Sequence, residues 1–276
     1  MIGYIFSNVL LQLLYLMGSI FVIGLIINFL SGRFYKTAHY HPLAIYGTGL
    51  IGTPIHELSH ALMCLVFGHT IQDIVLFQVD SDSGTLGYVS HSYRKNNVWH
   101  LIGNYFIGVA PIACGAVFLL LGIKLLLPET YVSVSAELDA FSIYIGGGAS
   151  WGWISRMGEL IVGILSVLFS EALTSYKWWI FIVLAMCVAL HMNLSGADIK
   201  GALPALPIVA LAVTAVNLIL GFISASLYAD FLTAINKAGG YLMGVLLLSV
   251  TLSLIYVALA YFIKLIAIGL KRTFSR

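Results

Sequence analysis

His56, Glu57 and His60 form an HExxH motif within the apolar stretch 43–67. In a helix, residues four apart lie on the same face, so the two imidazoles can bind one zinc ion. Glu57 stands beside them, where its carboxylate can accept a proton from an attacking water. The spacing therefore predicts zinc-dependent hydrolysis, with His56 and His60 as metal ligands and Glu57 as the general base.

A third ligand must come from elsewhere in the chain, because catalytic zinc usually takes three protein ligands. Val66 occupies the position of the third histidine in the longer HExxHxxGxxH pattern, which excludes that arrangement. Asp198 lies at the end of a later apolar run, where a carboxylate needs a partner and zinc would be one. Glu159 and Glu171 are the alternatives, whereas acidic residues of a polar segment read as a solvated turn: Asp73, Asp80 and Asp82.

The composition identifies the solvent of this chain. With 61% hydrophobic and 9% charged residues, a soluble globule could not bury its apolar surface, so the lipid bilayer is the expected environment. The net charge of +2 is small and the basic residues are scattered, which gives no support for nucleic-acid binding. Cys64, Cys114 and Cys187 lie in apolar stretches without CxxC spacing and are predicted to be buried packing residues.

The apolar runs predict an all-α polytopic membrane protein with about six transmembrane helices, since a bilayer core needs about 20 apolar residues per helix. The runs are 4–30, 43–67, 98–127, 178–194, 203–223 and 241–270. Region 128–177 is ambiguous: its apolar stretch 160–169 favours an interfacial or re-entrant helix, with a seventh span as the alternative. Basic residues after the last run predict a cytoplasmic C-terminus in the cell membrane: Lys271, Arg272 and Arg276.

The segment after the motif helix has a different pattern. Residues 71–79 and 85–93 are rich in β-branched and aromatic types, and 80–84 reads as a turn. This pattern predicts a short β-hairpin next to the membrane, with a polar connector as the alternative. The edge of such a hairpin could pair with an extended substrate through the main chain.

An HExxH motif in one transmembrane helix, a middle helix, and an aspartate near a glycine at the end of a later helix resemble the site-2 protease family of intramembrane zinc metalloproteases. The resemblance implies that His56, His60 and Asp198 ligate zinc and that Glu57 is the general base. It covers a core of about residues 43–206. The whole chain, 1–276, is predicted to be a single membrane-embedded domain.

The chain departs from the family's second motif, which resembles NxxPxPxLDG. Leu190 stands where the asparagine would fall, and both prolines are absent. Three other side chains could donate a hydrogen bond to the oxyanion or position the substrate: His191, Asn193 and Asn104. His191 shares a face with Asp198 if the helix continues unbroken between them, and it could replace Asp198 as a ligand.

Two backbone irregularities are predicted near the site. Ser195 and Gly196 could loosen the last helical turn so that Asp198 points inward. Thr53 could cap the motif helix and Pro54 begin it, with a simple proline kink as the alternative.

The expected activity is cleavage of a peptide bond in or near a transmembrane segment of a membrane protein or peptide, with an unidentified adaptor as an optional partner. Two alternatives remain. One is a membrane zinc protease of another family with a glutamate ligand, Glu159 or Glu171. The other is a divalent-metal transporter or sensor that uses the same histidines, and it would tolerate loss of Glu57 better than loss of His56.

Overall fold

The computed structural model describes residues 2–39, 41–79, 85–146, 153–170 and 175–274. Within these ranges the chain is helical apart from one antiparallel pair of strands and short connections. The helices are α1 (Ile2–Gln12), α2 (Ser19–Thr37), α3 (Pro42–Phe67), α4 (Val98–Leu126), α5 (Pro128–Gly146), α6 (Trp153–Ser170), α7 (Tyr176–His191), α8 (Gly196–Ala202), α9 (Leu206–Ile223) and α10 (Ala225–Phe274). A π-helical segment, Leu13–Gly18, joins α1 to α2, and a 3-10 turn, Leu203–Ala205, joins α8 to α9.

Five helical stretches of the described chain are long and apolar enough to cross a bilayer: Ser19–Thr37, Pro42–Phe67, Val98–Leu126, Gly196–Ile223 and Ala225–Gly269. Large apolar side chains such as Phe29, Leu125 and Ile263 remain exposed along them, as expected for surfaces that face lipid. The prediction of an all-α polytopic membrane protein is confirmed.

Each of the six predicted apolar runs is helical over most of its length, but the fourth is shorter than expected. Helix α7 has 16 residues and ends at His191. At a rise of 1.5 Å per residue it is about 24 Å long, less than the roughly 30 Å of a bilayer core. The chain therefore leaves helical geometry at residues 192–195, beside the candidate site.

The ambiguous region 128–177 contains two helices, α5 and α6, rather than a single short one. They pack against each other and against α10. The Arg156 guanidinium lies over the Tyr144 ring, and a Cβ at Gly163 would meet the Glu137 carboxylate, so the two helices run antiparallel. Residues 147–152 of this region lie outside the described residues.

Small and polar side chains link the helices in the interior. Ser31 Oγ donates a hydrogen bond to the Leu190 carbonyl, which ties α2 to the end of α7. Gln12 and Asn217 exchange two hydrogen bonds, and Tyr228 donates a third to Asn217. Moving apolar surface from lipid to a helix interface gives little free energy, because both environments are apolar. Polar links of this kind and close packing therefore hold the bundle together.

The predicted β-hairpin is present. Strand β1 (Thr70–Val75) pairs antiparallel with β2 (Tyr88–Ser92), with an irregularity between Ile71 and Asp73. The chain turns into β1 at Gly68, whose φ of 71° ends α3 in the left-handed conformation that glycine adopts without strain. The predicted turn, 80–84, lies outside the described residues.

Helix α3 is continuous through the motif, so the prediction that Thr53 caps it was wrong. The helix begins at Pro42, and the His41 side chain accepts a hydrogen bond from the Leu43 N–H. Pro54 lies inside the helix, where it removes one backbone donor just before the motif. The buried Thr53 hydroxyl has no hydrogen-bond partner among the described residues.

Candidate metal centre

His56 and His60 lie on one face of α3, and each ring is fixed by a backbone carbonyl of a neighbouring helix. His56 Nδ1 donates to the His191 carbonyl at 2.7 Å, and His60 Nδ1 donates to the Ile107 carbonyl at 2.7 Å. A carbonyl only accepts, so Nδ1 carries the proton in both rings and each Nε2 keeps a lone pair. This outer-shell hydrogen bond is the usual one for metal-binding histidines.

The two Nε2 atoms and the Asp198 carboxylate converge on one point. The Nε2 atoms are 3.1 Å apart; Asp198 Oδ1 is 3.3 Å from His60 Nε2, and Asp198 Oδ2 is 3.8 Å from His56 Nε2. Ligands bound tetrahedrally to one zinc ion at about 2.0–2.2 Å lie about 3.3–3.6 Å from one another. Two lone pairs and an anion at these distances repel each other unless a cation lies among them, so this donor set fits zinc.

Asp198 reaches the histidines because the chain breaks between α7 and α8. Helix α7 stops at His191, and Ser195 caps the new helix α8. The Ser195 hydroxyl accepts from the Asp198 N–H at 3.1 Å, and Asp198 Oδ2 accepts from the Ser195 N–H at 2.8 Å. The expectation that Asp198 closes the fourth helix was wrong, because Asp198 lies in the first turn of α8, and the unbroken helix that a face shared with His191 would require is not formed.

Two glycines allow the helices around the site to approach closely. A Cβ at Gly52 of α3 would collide with the Cys187 carbonyl and the His191 ring of α7. A Cβ at Gly108 of α4 would lie 2.7 Å from the Asp198 carbonyl and 2.8 Å from the Ala202 Cβ of α8. Because glycine has no side chain at these positions, the helices approach closely enough for the His191 carbonyl to reach His56 and for the Asp198 side chain to reach both histidines.

A cavity of about 370 Å³ opens beside the converging ligands. It is lined by His56, Glu57, His60, Thr85, Gly87, Tyr88, Val89, His91, Asn104, Ile107, Gly108, Ser195, Ala197, Asp198 and Gly201. Glu57 is 7% exposed, and the residue that precedes β2 packs directly on it: a Cβ at Gly87 would lie 2.9 Å from Glu57 Cγ. The hairpin thus forms one wall of the cavity that contains the motif.

The three candidate oxyanion groups occupy different positions. Asn104 lines the cavity. The His191 ring instead faces the helices: Nδ1 donates to the Cys187 carbonyl at 2.8 Å, and Nε2 lies 3.4 Å from the Tyr35 hydroxyl. Asn193 lies in the connection between α7 and α8 and does not line the cavity. His191 contributes to the site through its backbone carbonyl.

The alternative acidic ligands are not assembled with the histidines in the described chain. Glu159 forms a 2.7 Å ion pair with Arg156 on α6. The Asp73 carboxylate accepts hydrogen bonds from Tyr88 and from the Ile74 N–H in the hairpin. The remaining three lie outside the described residues: Asp80, Asp82 and Glu171.

A second group of ligand-type side chains, Cys64, His69 and His91, was missed by the sequence analysis. Cys64 is fully buried, as predicted, but its neighbours are imidazoles as well as packing residues. The signal was present, because Cys64 follows His60 by four residues on the face that carries His56. Burial lowers the pKa of His69 and of His91, because it disfavours the charged ring.

Comparisons of this chain with protein-family models, with curated proteins and with solved structures found no match. The functional assignment therefore depends on the geometry of the described residues.

Proposed function

We propose that this protein is an intramembrane zinc metalloprotease of the site-2 protease type. The observation that carries the proposal is the convergence of His56 Nε2, His60 Nε2 and the Asp198 carboxylate, with Glu57 beside them in one cavity. A histidine pair and one carboxylate are a known catalytic zinc ligand set that leaves a fourth position open. An ionisable cluster of this kind within a membrane helix is costly and usually marks function.

His56, His60 and Asp198 would hold the zinc ion. Zinc bound there would polarise the scissile carbonyl and lower the pKa of water to near neutrality. Glu57, which lines the same cavity, accepts the proton of the attacking water and returns it to the leaving amine. The Asn104 side chain lies on the cavity wall, where its amide can donate to the developing oxyanion.

The substrate is a membrane protein or a peptide, because the motif lies in a membrane-spanning helix. A peptide bond inside a helix is shielded by backbone hydrogen bonding, so the substrate must be extended at the cleavage point. The hairpin supports such a binding mode, since it lines the cavity from Thr85 to Val89 and a two-stranded sheet leaves an outer edge on each strand. Main-chain pairing recognises an unwound segment with little dependence on its sequence.

A second candidate function is transport of a divalent metal. The observation that favours it is a second ligand group beyond the end of the first on α3, formed by Cys64, His69 and His91. Transport needs ligands but no general base. The two functions therefore differ in what they require of Glu57.

Glu57→Gln is the variant that separates protease from transporter. We expect purified Glu57→Gln to retain zinc and to lose cleavage of fluorescein-labelled casein and of a quenched single-span peptide by about 10²–10⁴-fold, the typical contribution of a general base. His56→Ala should lose both cleavage and the zinc ion held by His56, His60 and Asp198. Zinc content is measured by plasma mass spectrometry on protein in detergent.

Glu159→Gln is the matched control, because it removes a carboxylate that lies on α6, away from the motif helix, and pairs there with Arg156. It should retain both zinc and cleavage. Wild-type protein without stoichiometric zinc would contradict the proposal. Zinc uptake into proteoliposomes by Glu57→Gln, together with the absence of cleavage by wild type, would establish the transporter instead.

A further inference from the structure

Three ligand-type side chains meet where α3 joins the hairpin. Cys64 lies on α3 one turn beyond His60, His69 follows the end of the helix, and His91 lies near the end of β2. One ligand atom from each, a sulfur and two ring nitrogens, lies within 4.8 Å of the other two. Cys64 is 0% and His69 4% exposed, so water reaches these donors poorly.

The ring of His69 is held so that a lone pair faces this group. His69 Nε2 donates to the His100 carbonyl at 2.9 Å, which leaves Nδ1 without a proton when the ring is neutral. That Nδ1 is 3.1 Å from His91 Nδ1. The rings of Tyr93 and His100 lie against His69 with centroids 5.1 and 5.3 Å away, which fixes its plane. His69 therefore repeats the arrangement of His56 and His60, with one nitrogen on a carbonyl and the other aimed at a further ligand.

We propose that Cys64, His69 and His91 bind a second zinc ion, separate from the one at His56, His60 and Asp198. One thiolate and two imidazoles are ligands for borderline-soft ions such as zinc, and they exclude magnesium and calcium, which take oxygen ligands. A hydrogen bond between the two imidazoles would account for the 3.1 Å contact, but it would leave the buried sulfur with no role in the cluster.

This zinc ion fastens the hairpin to the motif helix. Its ligands come from the last turns of α3, from the start of the hairpin and from its returning strand. A metal clip across these points closes the loop between Cys64 and His91, and its binding free energy becomes folding free energy for the hairpin. Because His91 also lines the cavity that contains Glu57, the clip fixes the cavity wall formed by β2.

The test is the zinc content of purified full-length protein. We expect two zinc ions per wild-type chain, one in Cys64→Ser, one in His91→Ala and one in His56→Ala. His91 is partly exposed on a strand, so its variant keeps the helix core intact if Cys64→Ser fails to fold. Cys114→Ser is the matched control, because Cys114 belongs to neither ligand group of the described chain, and it should retain two.

Cobalt substitution identifies the site that contains sulfur. Protein loaded with Co²⁺ should show near-ultraviolet thiolate-to-cobalt absorption that Cys64→Ser abolishes and His56→Ala retains. One zinc ion in wild type that is lost in His56→Ala but kept in Cys64→Ser, with no thiolate band, would overturn this proposal and leave the proposed protease site intact. A single zinc ion in wild type that is lost in Cys64→Ser but kept in His56→Ala would support this proposal and contradict the proposed protease site.

Discussion

Asp198 uses its carboxylate in two ways at once. Oδ2 accepts a hydrogen bond from the Ser195 N–H and so caps α8, while both oxygens face the Nε2 atoms of His56 and His60. The cap holds the carboxylate in one orientation before any metal arrives. A ligand that is preorganised in this way loses little conformational freedom on binding.

Substitutions at Asp198 and Ser195 separate the two roles. We expect Asp198→Ala and Asp198→Asn to weaken zinc binding at the His56 site by more than 10–100-fold, the loss typical of removing an outer-shell partner. The asparagine variant should do so even though its side chain can still cap the helix. Ser195→Ala should cost about 1 kcal/mol of stability and leave zinc bound. Zinc titration and thermal unfolding distinguish these results; normal zinc affinity in Asp198→Asn would remove Asp198 from the ligand set.

The site depends on an interrupted helix and on close contacts between elements. Residues 192–195 are irregular, yet Met192 and Leu194 are each 1% exposed, so protein covers this backbone within the bundle. Irregular backbone at membrane depth is tolerated only when it is covered in this way or lines a cavity. The break lets α7 present its last carbonyl to His56 and lets α8 present Asp198.

The contact between α3 and α7 is predicted to control metal affinity through Gly52. A methyl group at Gly52 collides with the Cys187 carbonyl and the His191 ring, so Gly52→Ala should separate the helices and weaken the His56 hydrogen bond to the His191 carbonyl. We expect zinc affinity about 10–100-fold lower and stability lower by about 1–3 kcal/mol.

Gly47→Ala is the matched control on the same helix. Its new Cβ would lie 3.6 Å from Leu43 Cδ1, an ordinary contact, so only the favourable change in helix propensity, up to about 1 kcal/mol, should remain. Equal zinc affinity in the two variants would show that the approach of α7 does not position His56.

At the scale of the whole molecule, α5 and α6 determine on which side of the bilayer α7 begins. Because these two helices pack antiparallel, they return the chain to the side on which α4 ends, whatever their depth in the bilayer. The fourth and fifth predicted runs do not alternate, because α7 and α8 pass α4 in the same direction: Cβ atoms at Gly122, Gly115 and Gly108 would meet Phe181, Met192 and Ala202 in turn. The last turns of α10 lie beside the start of α3, where Ala267 and Ile268 line a cavity with His39 and His41, so the C-terminus and the hairpin lie at opposite ends of α3.

Cysteine labelling in intact cells tests this topology. With the C-terminus in the cytoplasm, as the basic tail predicts, Lys177→Cys should resist a membrane-impermeant maleimide until the cells are opened, whereas Lys95→Cys should react from outside. Both lysines are exposed. Cys64 and Cys187 are buried and Cys114 is half-buried, so background labelling should be low. Labelling in the reverse order would place the hairpin inside the cell.

The sequence by itself determined the solvent, the helical class, the hairpin and the HExxH pair, because composition and periodicity along the chain encode each of them. It also singled out Asp198 through the cost of a carboxylate at the end of an apolar run. Only the tertiary structure revealed the break after His191, the position of the His191 ring away from the cavity, and the meeting of Cys64 with His69 and His91. These features depend on contacts between distant segments, such as Gly52 against α7, which no local pattern records.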